Sequence, residues 1–229
     1  MCGRSSLTKN EKDLEARFGS SFYSEDLERY NPLPNFNVCP GHIMPIVVSA
    51  NDVYFKPSTW GVTLNFGAKN QLLINARSET IAEKKTFSSV LYSGRCIVPM
   101  DGYYEWRRSE NTLLPYYIHF ENRMLVAAAG LNFINSDTNE NHFIVLTRPS
   151  EGSLRDIHDR MPVFLEENEC KDWLTPLLNS GDILSILNRN IIIPPYFYPV
   201  SSKINSSKNN EPDLTLPSKN KDFEQGRLF

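Results

Sequence analysis

The sequence predicts an α+β fold with β-strands dominating, in one large domain or two small ones. Three observations lead there. Runs of β-branched and aromatic residues, bounded by turn residues, recur through the first two thirds of the chain. Helical periodicity is confined to short stretches near the two ends of that region. The length of 229 residues, 40% hydrophobic and 22% charged, suits an ordinary globular protein with room for a sizeable core.

Taken in order, Thr8-Lys9-Asn10-Glu11 has the form of a capping box. Leu14 and Phe18 lie one helical turn apart, and Gly19 supplies a stop. Residues 30–42 are rich in Pro and Asn and read as an extended loop. Strands are expected at Pro45–Ala50, Val53–Phe55, Leu72–Ala76, Arg95–Met100, Tyr103–Arg107, Pro115–Phe120, Met124–Leu131 and His142–Thr147. Glu166–Leu178 sets Cys170, Trp173, Leu174 and Leu177 on one helical face, with Pro176 placed to end the helix early. Asp182–Leu187 reads as a further short helix. From about Ser201 the chain turns polar, with Pro212 and Pro217. The domain is therefore expected over 1–212, with 213–229 a disordered tail.

Charge and cysteine usage exclude some classes of function. A formal charge of −3 argues against a broad polyanion-binding face, so any nucleic-acid contact must rest on a local basic patch. Cys2, Cys39, Cys96 and Cys170 form no Cys-x-x-Cys pair and no zinc spacing. No metal or cofactor is expected. The three later cysteines read as packed apolar residues. Residues 1–20 lack the apolar stretch of a signal peptide, and the apolar run around Leu125–Leu131 is too short to span a bilayer. We expect a cytoplasmic, reduced, monomeric protein with no membrane partner.

The most informative residue is Cys2. Its side chain is small enough for Met1 to be trimmed ahead of it. Trimming creates a 1,2-aminothiol, with an amine of pKa about 8 and a thiol of about 8.5. Such a group can attack an acyl carbon as a thiolate, with its own amine as base. It can also condense with an aldehyde through an imine and close a thiazolidine ring. Four further stretches carry candidate chemistry. Asn75 and Arg77 lie in Ile74-Asn75-Ala76-Arg77-Ser78-Glu79-Thr80, at the end of an expected strand. Glu105 stands among aromatics in Asp101-Gly102-Tyr103-Tyr104-Glu105-Trp106, where lost hydration would raise its pKa. His158 opens His158-Asp159-Arg160-Met161-Pro162, and Pro199-Val200-Ser201-Ser202 lies near the end of the fold. Each has an ordinary use as well. Asn75 can cap a turn, Glu105 can pair with Arg95 or Arg107, and His158 can be a capping histidine. His42, His119 and His142 have no supporting context.

In combination these residues are far more specific. Met-Cys-Gly-Arg at the start, Asn37-Val38-Cys39-Pro40, Trp60-Gly61, Asn75-Ala76-Arg77-x-Glu79-Thr80, Gly94-Arg95-Cys96, the Asp101–Trp106 run, His158–Pro162 and Pro199-Val200-Ser201 occur in one order. The chain resembles the SOS response-associated peptidase family, the abasic-site processing proteins, from Met1 to about Pro217. That resemblance implies a mainly antiparallel sheet folded into a barrel-like core with a few peripheral helices. It implies a covalent thiazolidine between Cys2 and the aldehyde of abasic sites in single-stranded DNA, with possible lyase and self-processing peptidase activity. Cys2, Asn75, Glu105 and His158 would be catalytic. Arg4, Arg77 and Arg160 would meet phosphates, with Asn37 and Thr147 as polar neighbours, Lys85 as a further cation and Trp106 as a stacking platform.

Two departures stand out. Family members from bacteria often carry a Trp-rich wedge after Trp-Gly, where this chain has Val62-Thr63-Leu64-Asn65-Phe66-Gly67-Ala68 with Phe66 the sole candidate. Lys85 replaces an expected Arg, keeping charge without the bidentate fork. At the extreme end, Gln225-Gly226-Arg227-Leu228-Phe229 resembles short peptides that bind bacterial sliding clamps. Two rival readings are a class II glutamine amidotransferase, which also begins Met-Cys-Gly, and a non-catalytic single-stranded DNA-binding module.

Overall fold

The apolar stretch near Leu131 forms the middle of the core, because both faces of its strand are covered. The structure is a computed structural model and describes residues 2–50, 52–65, 69–109, 112–176, 178–189, 194–218 and 226–227. In chain order the strands are β1 (Ser5–Leu7), β2 (Ser21–Phe22), β3 (Asn35–Val38), β4 (Ile43–Ser49), β5 (Val53–Trp60), β6 (Val62–Asn65), β7 (Asn70–Leu73), β8 (Asn75–Arg77), β9 (Arg95–Met100), β10 (Gly102–Ser109), β11 (Thr112–His119), β12 (Val126–Ile134), β13 (Asn141–Pro149), β14 (Arg160–Pro162), β15 (Phe164–Leu165), β16 (Tyr196–Pro199) and β17 (Gly226–Arg227). The helices are α1 (Glu11–Phe18), α2 (Lys85–Ser93), α3 (Glu167–Leu174) and α4 (Ser180–Asn188).

The strands β5, β4, β9, β12 and β13 pair in succession, and a parallel pairing of β13 with β5 closes the ring at Phe143 and Trp60. Closure removes exposed strand edges there and gives a barrel-like core. A second sheet runs β17-β16-β11-β10-β1-β3, and β6 and β7 form a two-stranded third. Most pairings are antiparallel. The fold is α+β, in one domain, as the resemblance implied.

Several expected elements shift, each for a local reason. The cap of α1 is Asn10, whose side chain accepts from the Asp13 N–H, not Thr8. Thr8 is committed elsewhere, since its backbone N–H and hydroxyl both donate to Asp101. Gly19 does end the helix, in the left-handed conformation at φ 59°. The expected strand Leu72–Ala76 breaks at Ile74. There β7 stays with β6, while β8 leaves to pair in parallel with β13. Residues 30–42 contain β3, which pairs with β1. Helix α3 ends at Leu174, ahead of Pro176, with Cys170, Trp173 and Leu174 buried.

The sequence reading missed α2, which has no side-chain cap and buries only Phe87 and Leu91. Arg95 supports both α2 and α3 at their C-termini. Its guanidinium donates to Leu91 and Tyr92 carbonyls on one side and to Trp173 and Thr175 carbonyls on the other. The tail boundary at 212 also needs correction. Leu214 and Thr215 are buried, Arg123 donates to both the hydroxyl and carbonyl of Thr215, and Val200 bridges Pro217. Leu214 is apolar enough to be worth burying, which composition averaged over the tail concealed. Phe66, Leu177, Gln225, Leu228 and Phe229 lie outside the described residues.

Candidate active site at the amino terminus

The site is assembled by the way β1 is fastened. Ser5 pairs with Tyr103 and Ser6 with Gly102, and the Tyr104 N–H donates to the Arg4 carbonyl at 2.9 Å. Asp101, fully buried, locks this register. It accepts from the Ser6 hydroxyl at 2.5 Å, the Thr8 N–H at 2.6 Å and the Thr8 hydroxyl at 2.5 Å. The Tyr117 hydroxyl completes the network, 2.9 Å from that of Ser6. Gly102 is required by this packing, because a Cβ there would sit 2.3 Å from the Tyr117 hydroxyl oxygen. Continuing the register toward the amino terminus brings Gly3 and Cys2 beside Glu105, and Tyr103 and Glu105 share a face of β10.

Three other chain segments converge on Cys2. Asn75, on β8, donates from Nδ2 to the Cys2 carbonyl at 2.8 Å, while its Oδ1 is buried and makes no bond with a described residue. Glu105 is 3% exposed. His158 Nδ1 lies 3.8 Å from Glu105 Oε1. His158 is held by its own backbone, whose N–H donates to the Leu154 carbonyl. The four residues named as catalytic thus meet in one place. Neither Arg95 nor Arg107 pairs with Glu105: Arg95 serves the helix ends, and Arg107 donates to the Tyr116 hydroxyl.

Burial tunes these groups strongly. Glu105 is pushed up to about 8, chiefly by burial; the positive amino terminus opposes this, and Asp159 adds to it. His158 is lowered, first by burial and then by the amino terminus. The Cys2 thiol is raised well above its ordinary value by burial and by the Glu105 charge. Cys2 is enclosed at 1% exposure, and this burial is what raises its thiol in the untrimmed chain. A thiol so placed reacts when a neighbour removes its proton. Glu105, near neutral pH, is matched to moving protons in either direction.

The family model described as SOS response associated peptidase (SRAP) matches residues 1–207. The chain belongs to the SOS response associated peptidase family. The abasic site processing protein YoqW of Bacillus subtilis (strain 168) is 34% identical over 230 residues, covering 93% of this chain and 98% of YoqW. The abasic site processing protein YedK of Escherichia coli (strain K12) is 27% identical over 227 residues, covering 95% and 100%. A solved protein structure from Bacteroides thetaiotaomicron is similar with a TM-score of 0.79 at 26% identity, over 95% of this chain and 100% of that one.

In this family member the residues named for DNA contact differ in exposure and in their bonds to described residues. Arg77 and Lys85 are exposed. Arg160 is engaged within the protein. It grips Glu79 through two bonds at 2.5 and 2.8 Å and donates to the Thr147 carbonyl at 2.6 Å. The guanidinium holds Glu79 down to about 2. Thr147 is buried, and its hydroxyl donates to the Ala76 carbonyl at 3.3 Å. Asn37 is also structural, donating to the Ser206 and Asn209 carbonyls. Arg4 donates to Asn37 Oδ1 at 2.7 Å and to the Ile204 carbonyl at 2.6 Å, and lies 6.0 Å from the Trp106 ring centre. Trp106 is half-buried and fixed by a bond to Asn205. It is a rigid aromatic surface with Arg4 behind it. Asp159, which the sequence reading passed over, stands 3.1 Å from His158 Nδ1. Its position inside the His158–Pro162 motif was the available signal.

Proposed function

We propose that this protein captures abasic sites in single-stranded DNA as a covalent thiazolidine at Cys2, in the response to DNA damage. The gathering of Asn75, Glu105 and His158 around Cys2 carries the reading. Relatives named as abasic site processing proteins support it. After Met1 is removed, the Cys2 amine gives up a proton to Glu105 and attacks the C1′ aldehyde of the ring-opened sugar. The carbinolamine loses water, leaving an imine. The thiol then adds across the C=N bond, its sulfur to C1′ and its proton to nitrogen. Aldehyde and aminothiol become thiazolidine and one water. Asn75 orients the terminus through the Cys2 carbonyl. His158 supplies a proton to the sugar oxygen during ring opening and receives it on reversal. Diverting the imine by loss of a C2′ proton would expel the 3′ phosphate, which is the lyase reaction. Removal of its own Met1 would be the peptidase activity. The exposed cations Arg77 and Lys85 and the Trp106 surface suit backbone and base contacts without sequence preference.

The test is denaturing electrophoresis of the protein with single-stranded DNA carrying one abasic site. A heat-stable 1:1 adduct is expected from the wild type and none from Cys2→Ala. An adduct retained by Cys2→Ala and lost with Cys39→Ala, Cys96→Ala or Cys170→Ala would end the proposal.

A further inference from the structure

The surroundings of His158 Nδ1 pose a problem that the four catalytic roles do not solve. Among the described residues one donor reaches this atom, the Arg160 backbone N–H at 3.0 Å. Three acceptors also face it: Asp159 Oδ1 at 3.1 Å, the Arg160 carbonyl at 3.3 Å and Glu105 Oε1 at 3.8 Å. A lone pair on Nδ1 satisfies the donor and faces the acceptors unfavourably. A proton on Nδ1 reverses both statements. The site therefore serves two states of the ring. The neutral ring accepts from Arg160 and carries its proton on Nε2. The doubly protonated ring turns Nδ1–H toward Asp159.

We infer that Asp159 is a positioning residue that steadies the doubly protonated His158, making the imidazole a relay between Glu105 and the substrate oxygen. The inference rests on the function proposed above. In the relay, Glu105 takes a proton from the attacking amine. Its O–H then transfers that proton to His158 Nδ1, giving the doubly protonated ring, whose Nε2–H passes to the carbinolamine hydroxyl as it leaves as water. The electron pair of the breaking C–O bond goes to that oxygen. One proton enters the ring and one leaves, so His158 ends neutral. The 3.8 Å separation exceeds a hydrogen bond and must tighten when substrate binds, as catalytic contacts commonly do.

The backbone around Asp159 is fixed well enough for such a role. The Ser150 N–H donates to the Asp159 carbonyl at 2.9 Å, and β14 begins at the next residue. Among the described residues, the charged groups facing His158 are Glu105 from β10 and Asp159 and Arg160 on its own segment, with Arg160 paired to Glu79. Asp159 raises His158, opposing burial and the amino terminus. Its side chain is 82% exposed, so salt weakens its influence.

The experiment compares the wild type with Asp159→Asn and Asp159→Glu. Nitrogen NMR of labelled histidine follows the His158 tautomer and titration. In parallel, adduct formation is timed on abasic single-stranded DNA against pH at low and high salt. Binding to intact DNA is the control. Asp159→Asn should move the His158 titration to lower pH and slow adduct formation by about 2–5-fold at low salt, with a smaller effect at high salt. Asp159→Glu should recover part of both. Unchanged His158 titration and an unchanged pH profile in Asp159→Asn would overturn the inference. So would a rate loss that salt does not alter. If the wild type forms no adduct at all, the proposed function fails, while the NMR arm still reports whether Asp159 governs the ring.

Discussion

Replacing Glu105 with Gln should change how stability depends on pH. Burial lifts the Glu105 carboxyl from 4.5 to about 8. Between those values the folded state holds a proton that the unfolded state has released. Folding is therefore weakened as pH rises through this window, with the loss complete above about pH 8. At 1.36 kcal/mol per unit, the accumulated cost is about 3 kcal/mol by pH 7 and about 5 kcal/mol above pH 8. The side chain is 4% exposed, so solvent screening reduces this little. Glutamine keeps the shape and cannot ionise. Its own packing cost is the same at every pH, so it cancels in a comparison across pH. The assay is urea unfolding of both proteins at pH 5, 7 and 8.5. The Gln variant should gain about 3 kcal/mol on the wild type between pH 5 and pH 7, roughly 6–12 °C in Tm. Adduct formation should meanwhile fall by about 10²–10⁴-fold. Parallel stability curves for the two proteins would refute the claim that Glu105 is buried protonated.

Gly102→Ala should destabilise by about 1–3 kcal/mol by driving a methyl into the immobile Tyr117 ring, and should slow the adduct by shifting β1; urea midpoints and gel kinetics check both. Arg77→Ala should weaken binding to single-stranded DNA and flatten its salt dependence at unchanged Tm. Arg160→Ala should instead cost about 1–3 kcal/mol, read by urea unfolding, since it strips the buried Thr147 carbonyl of a donor, while Glu79, at the surface, keeps the Ser78 hydroxyl.

Much of this protein could be read locally. Strand β9 falls on the expected Arg95–Met100, because a short, nearly continuous apolar run reports a strand buried on both faces. Cys2, Asn75, Glu105 and His158 stood out by residue type within short motifs, and no folding was needed to see that an N-terminal Cys has special reactivity. Composition failed where one residue decides the outcome. Leu214 anchors a segment that reads as polar tail, and Thr8 was drawn from capping by a carboxylate far along the chain.

What the tertiary structure alone decided was partnership and burial. Arg77 and Arg160 look alike in sequence. One is exposed, and the other is locked to Glu79, because β14 and the turn after β8 both lie against β13. Likewise the aromatic run around Glu105 predicts a raised pKa, but enclosure of Cys2 depends on Asp101 fastening β1 to β10. Residue type and periodicity are properties of neighbours in the chain. The pKa of a buried group, and the freedom of a cation to meet a phosphate, are set by neighbours in space.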